Sequence, residues 1–92
     1  MRDDTEETVE RLAARGATKE EIRDALLSLH HKWTHKRSRL SQERQQRTYM
    51  LGRLGRFLHY FNFGYLGGDP TPDDRRLVKL IEKPRDADDP SL

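Results

Sequence analysis

Apolar residues recur three and four positions apart along most of the chain, and strict alternation of apolar and polar residues is almost absent. This period is typical of one face of an α-helix and gives little support to strands. The first helix is predicted to have Asp4 or Thr5 as its N-cap and to end before Gly16, a glycine suited to the position after a helix. Its apolar stripe consists of Val9, Leu12 and Ala13.

The second helix has the clearest start in the sequence, because Thr18 and Glu21 have the spacing of a capping box. A spacing of four and three then continues through residues 22–61. It fits one long helix, but polar residues at several of these positions favour a break, with Ser41 as the next N-cap. We therefore predict a hairpin of two helices, over residues 18–37 and 41–62.

Glycine and proline interrupt any regular element over residues 64–70. Thr71 followed by Pro72 then predicts the start of a short final helix. The fold class is all-α: a small bundle of three to four helices with a long central helical hairpin and a frayed acidic C-terminal tail. A single helical domain is expected over residues 1–83 and a disordered tail over residues 84–92.

Composition limits the core that this chain can build. Of 92 residues, 33% are hydrophobic and 37% are charged, so a homodimer, a higher oligomer or docking on a partner is expected to add buried surface. Cysteine is absent, which excludes disulfides and thiolate sites and fits a reducing compartment. The acidic, polar start lacks the pattern of a signal peptide, and we expect a cytoplasmic protein without a membrane span.

Charge is segregated along the chain. Residues 1–29 carry five basic and eight acidic side chains, residues 30–56 carry eight and one, and residues 57–92 carry five and seven. The net charges of these blocks are −3, +7 and −2, and the middle block predicts a polyanionic partner. The cations predicted to contact phosphate are Lys32, Lys36, Arg37, Arg39, Arg44, Arg47, Arg53 and Arg56.

Nucleic acid, with DNA as the first candidate, is the partner that this block favours, in a small accessory or regulatory protein. Arginine and lysine neutralise phosphates, glutamine addresses base edges and tyrosine or tryptophan stacks on unpaired bases. The alternative is an interaction module, such as a small inhibitor or assembly subunit, that docks the same cations on an acidic protein. Its aromatic anchors would be Trp33, Tyr49, Phe57, Tyr60, Phe61, Phe63 and Tyr65.

Two short segments resemble parts of nucleic-acid-binding domains. The tight connection over residues 14–18 resembles the front half of a helix-turn-helix domain, and the resemblance implies that residues 34–46 would enter the major groove. Gly52 and Gly55 resemble the glycine-x-x-glycine loop of KH domains, which clamps a nucleic-acid backbone. The simpler alternatives are a plain helical hairpin and two glycines on one helix face that admits a close neighbour.

Neither a metal site nor catalysis is expected. His31 and His35 are four residues apart, but no carboxylate nearby completes a ligand set and cations surround them. Their protonation would add to the basic block. The sequence has no thiol, nucleophile motif or phosphate-cradling loop, so we predict a protein without cofactor that is not an enzyme.

Overall fold

A computed structural model describes residues 3–83 and shows a bundle of four helices. No strand occurs within this range, so the all-α prediction is confirmed. The predicted tail, residues 84–92, lies outside the described residues. The helices are α1 (Asp4–Ala14), α2 (Lys19–His35), α3 (Ser41–Phe63) and α4 (Pro72–Glu82).

The predicted ends of α1 and the start of α2 are largely correct. The N-cap of α1 is Asp3, whose carboxylate accepts the Glu6 amide at 2.9 Å, so the prediction of Asp4 or Thr5 was wrong by one or two residues. The shift arises because Asp3 has the extended backbone of a cap, whereas Asp4 is already helical. Gly16 follows α1 with a φ of 77°, as a glycine at this position should.

The central hairpin is confirmed, with extended or irregular backbone over residues 36–40 between α2 and α3. Ser41 was a wrong choice of N-cap: Leu40 holds that position, with φ −94° and ψ 151°, and Ser41 is the first helical residue. Glu43 stabilises this start by accepting the Leu40 amide at 3.4 Å. Because residues 36–40 are not helical, the helix-turn-helix assignment of residues 34–46 as a recognition helix is also wrong.

The core lies where α2 and α3 pack together and α1 packs on α2 and α4. Among the described residues, no Cα of α3 lies within 8 Å of a Cα of α4, so long side chains bridge these two helices. The start of α4 agrees with the sequence prediction, because the Thr71 hydroxyl caps this helix by accepting a hydrogen bond from the Asp74 amide at 3.1 Å. The largest apolar side chains in the core are Ile22, Leu26, Trp33, Met50, Leu54, Phe57, Tyr60 and Leu77.

The closed end of the hairpin extends past this core. Trp33 and Met50 are buried, but no residue between them, over residues 34–49, is buried. We call residues 34–49 the hairpin tip. The tip is held by local contacts between α2 and α3, and almost all of its side chains face solvent.

Gly52 and Gly55 lie within α3, one turn beyond the tip, and not in a loop. The KH resemblance is therefore wrong, because the chain around the glycines is helical and residues 3–83 contain no strand to flank a KH loop. Among residues 3–83, a Cβ added at either glycine would meet nothing within 4 Å. Packing of the described residues thus does not explain why α3 has glycine at these positions.

Replacing Gly52 or Gly55 with alanine is expected to stabilise the protein by about 0.5–1 kcal/mol each, because glycine is a poor helix former and the space is open. Urea denaturation followed by circular dichroism would measure the change. Gly16→Ala is the control and should destabilise, since its φ of 77° disfavours a side chain. If Gly52→Ala or Gly55→Ala destabilised the protein, the conclusion that a methyl group fits at these positions would be wrong.

Candidate nucleic-acid interface

Arg53, one of the eight cations predicted to contact phosphate, lies inside the protein. Its side chain is 4% exposed, and its Nε donates to Asp74 at 2.9 Å and its Nη1 to Asp3 at 2.6 Å. Its Nη2 donates to Asp73. Burial lowers the pKa of the Arg53 guanidinium, but the hydrogen bonds to Asp3 and Asp73 outweigh burial and hold that pKa above its ordinary value. Arg53 is therefore a structural residue and not part of an exposed interface.

Arg56 belongs to the same group of charges. Its Nε donates to Asp74 Oδ2 at 2.8 Å, and the Thr71 amide donates to the same oxygen at 3.0 Å. Burial raises the pKa of the fully buried Asp74, but the hydrogen bonds from Thr71 and Arg56 outweigh it and hold that pKa below its usual value. We call this group, which joins α1, α3 and α4, the ion-pair cluster; it consists of Asp3, Glu6, Arg53, Arg56, Asp73 and Asp74.

Arg47 closes the hairpin instead of facing a partner. Its Nε donates to the carbonyl of Trp33 at 2.9 Å and its Nη2 to the carbonyl of Thr34 at 2.8 Å. These carbonyls are at the end of α2, where no intrahelical donor remains. Arg47 thus joins the start of α3 to the end of α2 and positions the tip.

Two lysines near the end of α2 are exposed but have weak internal contacts. Lys32 Nζ lies 3.8 Å from Asp4 Oδ2, and both side chains remain well exposed. Lys36 Nζ lies 4.3 Å from the centroid of the Trp33 ring, in a cation–π contact. Such exposed contacts contribute little to stability, so both ammonium groups remain available to a polyanion.

Arg37, Arg39 and Arg44 differ from the other five cations. Their side chains are exposed and form no ion pair or hydrogen bond with any residue in the described range 3–83. Glu43 is the single acid of residues 30–56, so little negative charge offsets them locally. Of the eight predicted cations, these three are the ones whose side chains have no ion pair, hydrogen bond or ring contact among residues 3–83, and all three lie on the tip.

The predicted aromatic anchors do not form one surface. Trp33, Phe57 and Tyr60 are in the core, because they belong to the apolar stripes that pack α2 against α3. Phe61 is half-buried against the same core. Three aromatic side chains are exposed: Tyr49, Phe63 and Tyr65.

The exposed aromatic residues are divided between two places. Tyr49 is on the tip, and Phe63 and Tyr65 lie at the far end of α3, with rings 4.6 and 4.9 Å from the His59 ring. At 1.5 Å per helical residue, Tyr49 and Phe63 are about 21 Å apart along the axis of α3. Only Tyr49 can act together with the free arginines.

Tyr49 forms part of a shallow groove that the sequence analysis missed. The groove has a volume of about 390 Å³ and is lined by Arg44, Gln45, Thr48 and Tyr49. These residues occupy positions i, i+1, i+4 and i+5 of α3 and therefore share one face. That spacing was visible in the sequence, but only the start of α3 at Ser41 establishes the helix that brings them together.

His31 and His35 lie on α2 where it enters the tip, and His35 is itself a tip residue. The rings of His31 and His35 are 4.4 Å apart, and both residues are exposed. Within residues 3–83, no group of three or more histidine, cysteine or acidic residues has the geometry to hold a metal ion.

Within the same range, none of the helices combines the length and the apolar character needed to cross a bilayer.

Comparisons with protein-family models, with curated proteins and with solved structures find no match to this chain. We therefore infer function from the geometry and charge of the tip.

Proposed function

We propose that this protein is a non-enzymatic nucleic-acid-binding accessory or regulatory protein that contacts phosphates through its hairpin tip. One observation supports the proposal most directly: Arg37, Arg39 and Arg44 are exposed and their side chains have no partner within residues 3–83, on a segment in which no residue is buried. Neither packing nor hydrogen bonding among the described residues accounts for these three side chains.

The chemistry of the tip suits phosphate. Residues 34–49 carry five basic side chains and one acid, a net charge of +4. Each guanidinium presents donors in a planar fork that matches phosphate oxygens. A polyanion would relieve the repulsion among these cations and release its condensed counterions on binding.

An acidic protein surface is the alternative partner, and the positions of the exposed aromatic residues weaken it. Phe63 lies 23 residues beyond Leu40, about 35 Å along α3. A typical protein interface buries about 800 Å² on each partner, too little to cover both the tip and the Phe63 region. The tip would therefore have to bind an acidic protein with Tyr49 as its one exposed aromatic ring.

Fluorescence anisotropy of labelled oligonucleotides at several salt concentrations tests the proposal. Three phosphate contacts predict that affinity falls about 20-fold for a single strand and about 40-fold for a duplex between 50 and 200 mM salt. Replacing Arg37, Arg39 and Arg44 together with glutamine should weaken binding by about tenfold or more at low salt and flatten the salt dependence.

The matched control replaces Arg11, Arg75 and Lys79 with glutamine. These cations are exposed on α1 and α4, form no ion pair within the described residues and give the same change in net charge. The control should bind nearly as the wild type does. Equal losses in the two variants would show that only net charge matters, and absence of wild-type binding at low salt would overturn the proposal in favour of an acidic protein.

A further inference from the structure

The groove on α3 has the chemistry of a nucleobase site. Tyr49 supplies an aromatic ring that is 53% exposed, and Gln45 supplies an amide with both donors and an acceptor for a base edge. Thr48 adds a hydroxyl, and Arg44 lines the same groove, so its guanidinium is available to a phosphate next to the base.

The Tyr49 ring is held in place before any ligand binds. Its hydroxyl donates to Asp3 Oδ2 at 3.1 Å, and Asp3 is itself fixed by Arg53 at 2.6 Å and by the Glu6 amide. The ion-pair cluster thus anchors the outer end of the tyrosine while the ring remains exposed. A preorganised ring loses little conformational entropy when a base stacks on it.

The face continues beyond the groove without obstruction. Gly52 lies one turn after Thr48 on the same side of α3, and a Cβ there would meet no described residue within 4 Å. The absence of a side chain leaves one end of the groove open, so that a strand could continue along the helix from the base site. The open end of the groove gives a reason for glycine at position 52, whereas packing among the described residues gives none.

We infer that the tip binds single-stranded nucleic acid and that Tyr49 stacks on one unpaired base, with Arg44 on the adjoining phosphate. The inference rests on the proposed function and specifies its ligand. In a duplex the faces of each base are covered by its neighbours, so Tyr49 would have nothing to stack on, whereas every unpaired base presents a face. Arg44 belongs both to the groove and to the free arginines, which makes the base site continuous with the phosphate site.

The test uses the full chain with a labelled thymidine single strand and a duplex of equal length, at one low salt concentration. Tyr49→Ser is expected to weaken single-strand binding roughly 5- to 150-fold and to leave duplex binding unchanged. Tyr49→Phe keeps the ring and should bind the single strand far more tightly than Tyr49→Ser does, with a small loss from the missing hydrogen bond to Asp3. Both variants lose the hydrogen bond to Asp3, so the comparison isolates the ring, and thermal melting verifies that both remain folded.

Three results would overturn the stacking role. These are equal weakening by Tyr49→Ser and Tyr49→Phe, undiminished single-strand binding by Tyr49→Ser, and a wild-type preference for the duplex. In each case the arginine-to-glutamine variant still tests the proposed function separately, because phosphate binding by Arg37, Arg39 and Arg44 does not require Tyr49. Absence of wild-type binding to either oligonucleotide would refute both proposals.

Discussion

Replacing Arg53 with methionine is expected to destabilise the folded protein by about 3–5 kcal/mol. The guanidinium is 4% exposed and lies among Asp3, Glu6, Asp73 and Asp74, with Asp74 completely buried. Methionine fills much of the volume but leaves these carboxylates without their shared cation. The carboxylates would then repel one another, and Asp74 would retain only Arg56 as a charged partner.

Chemical denaturation monitored by far-ultraviolet circular dichroism would measure this loss. Arg75→Met is the matched control, because Arg75 is an exposed arginine of α4 without an ion pair among the described residues. Its free energy of unfolding should change by less than about 0.5 kcal/mol. If Arg53→Met cost no more than this control, the ion-pair cluster would not be a source of stability.

Asp74→Asn is expected to destabilise by about 2–4 kcal/mol at neutral pH, because it removes the buried charge that accepts from both Arg53 and Arg56. The effect should depend on pH. The pKa of Asp74 in the folded protein is held below its ordinary value of 3.8, so the ionised carboxylate stabilises the fold. This contribution to stability is fully present above the pKa that Asp74 has in the unfolded chain. It is lost as the pH falls through the lower pKa that Asp74 has in the folded protein.

The difference in unfolding free energy between the wild type and Asp74→Asn should therefore shrink as pH is lowered below about 3.8. Denaturation at pH 7, 5, 4 and 3 would measure it. Asp69→Asn serves as the control, since Asp69 is exposed and without a partner in residues 3–83. A difference between wild type and Asp74→Asn that stays constant down to pH 3 would contradict the assigned role.

The helices could be predicted from the sequence because their signals are local. The capping box at Thr18 is recognised from two residues three positions apart and the N-cap at Thr71 from the proline that follows it, and both are confirmed. The break near residue 40 followed from polar residues at heptad positions. The errors at Asp3 and Leu40 are errors of one or two residues. Asp3 and Asp4 have equally suitable side chains for the cap of α1, and Leu40 holds the cap position of α3 without a side-chain hydrogen bond, so no polar residue marks it.

The roles of the individual cations could not be predicted in the same way. The acids that pair with Arg53 are 50, 21 and 20 residues away along the chain, and no local pattern relates them. One signal was present: Arg53 lies three residues after Met50 and four before Phe57, which places it beside the apolar stripe of α3. A cation in that register is a candidate for burial, whereas Arg37 and Arg39, outside any helix, are not.

The long reach of the ion-pair cluster has a consequence for how the chain acquires its structure. Arg47 joins residues 13 and 14 positions away, whereas Arg53 joins Asp74 across 21 positions and Asp3 across 50. Contacts between residues far apart in sequence cost more chain entropy, because a longer loop must close, and they tend to form later. The α2–α3 hairpin, which needs only contacts between nearby residues, is therefore expected to form first, and docking of α1 and α4 completes the fold.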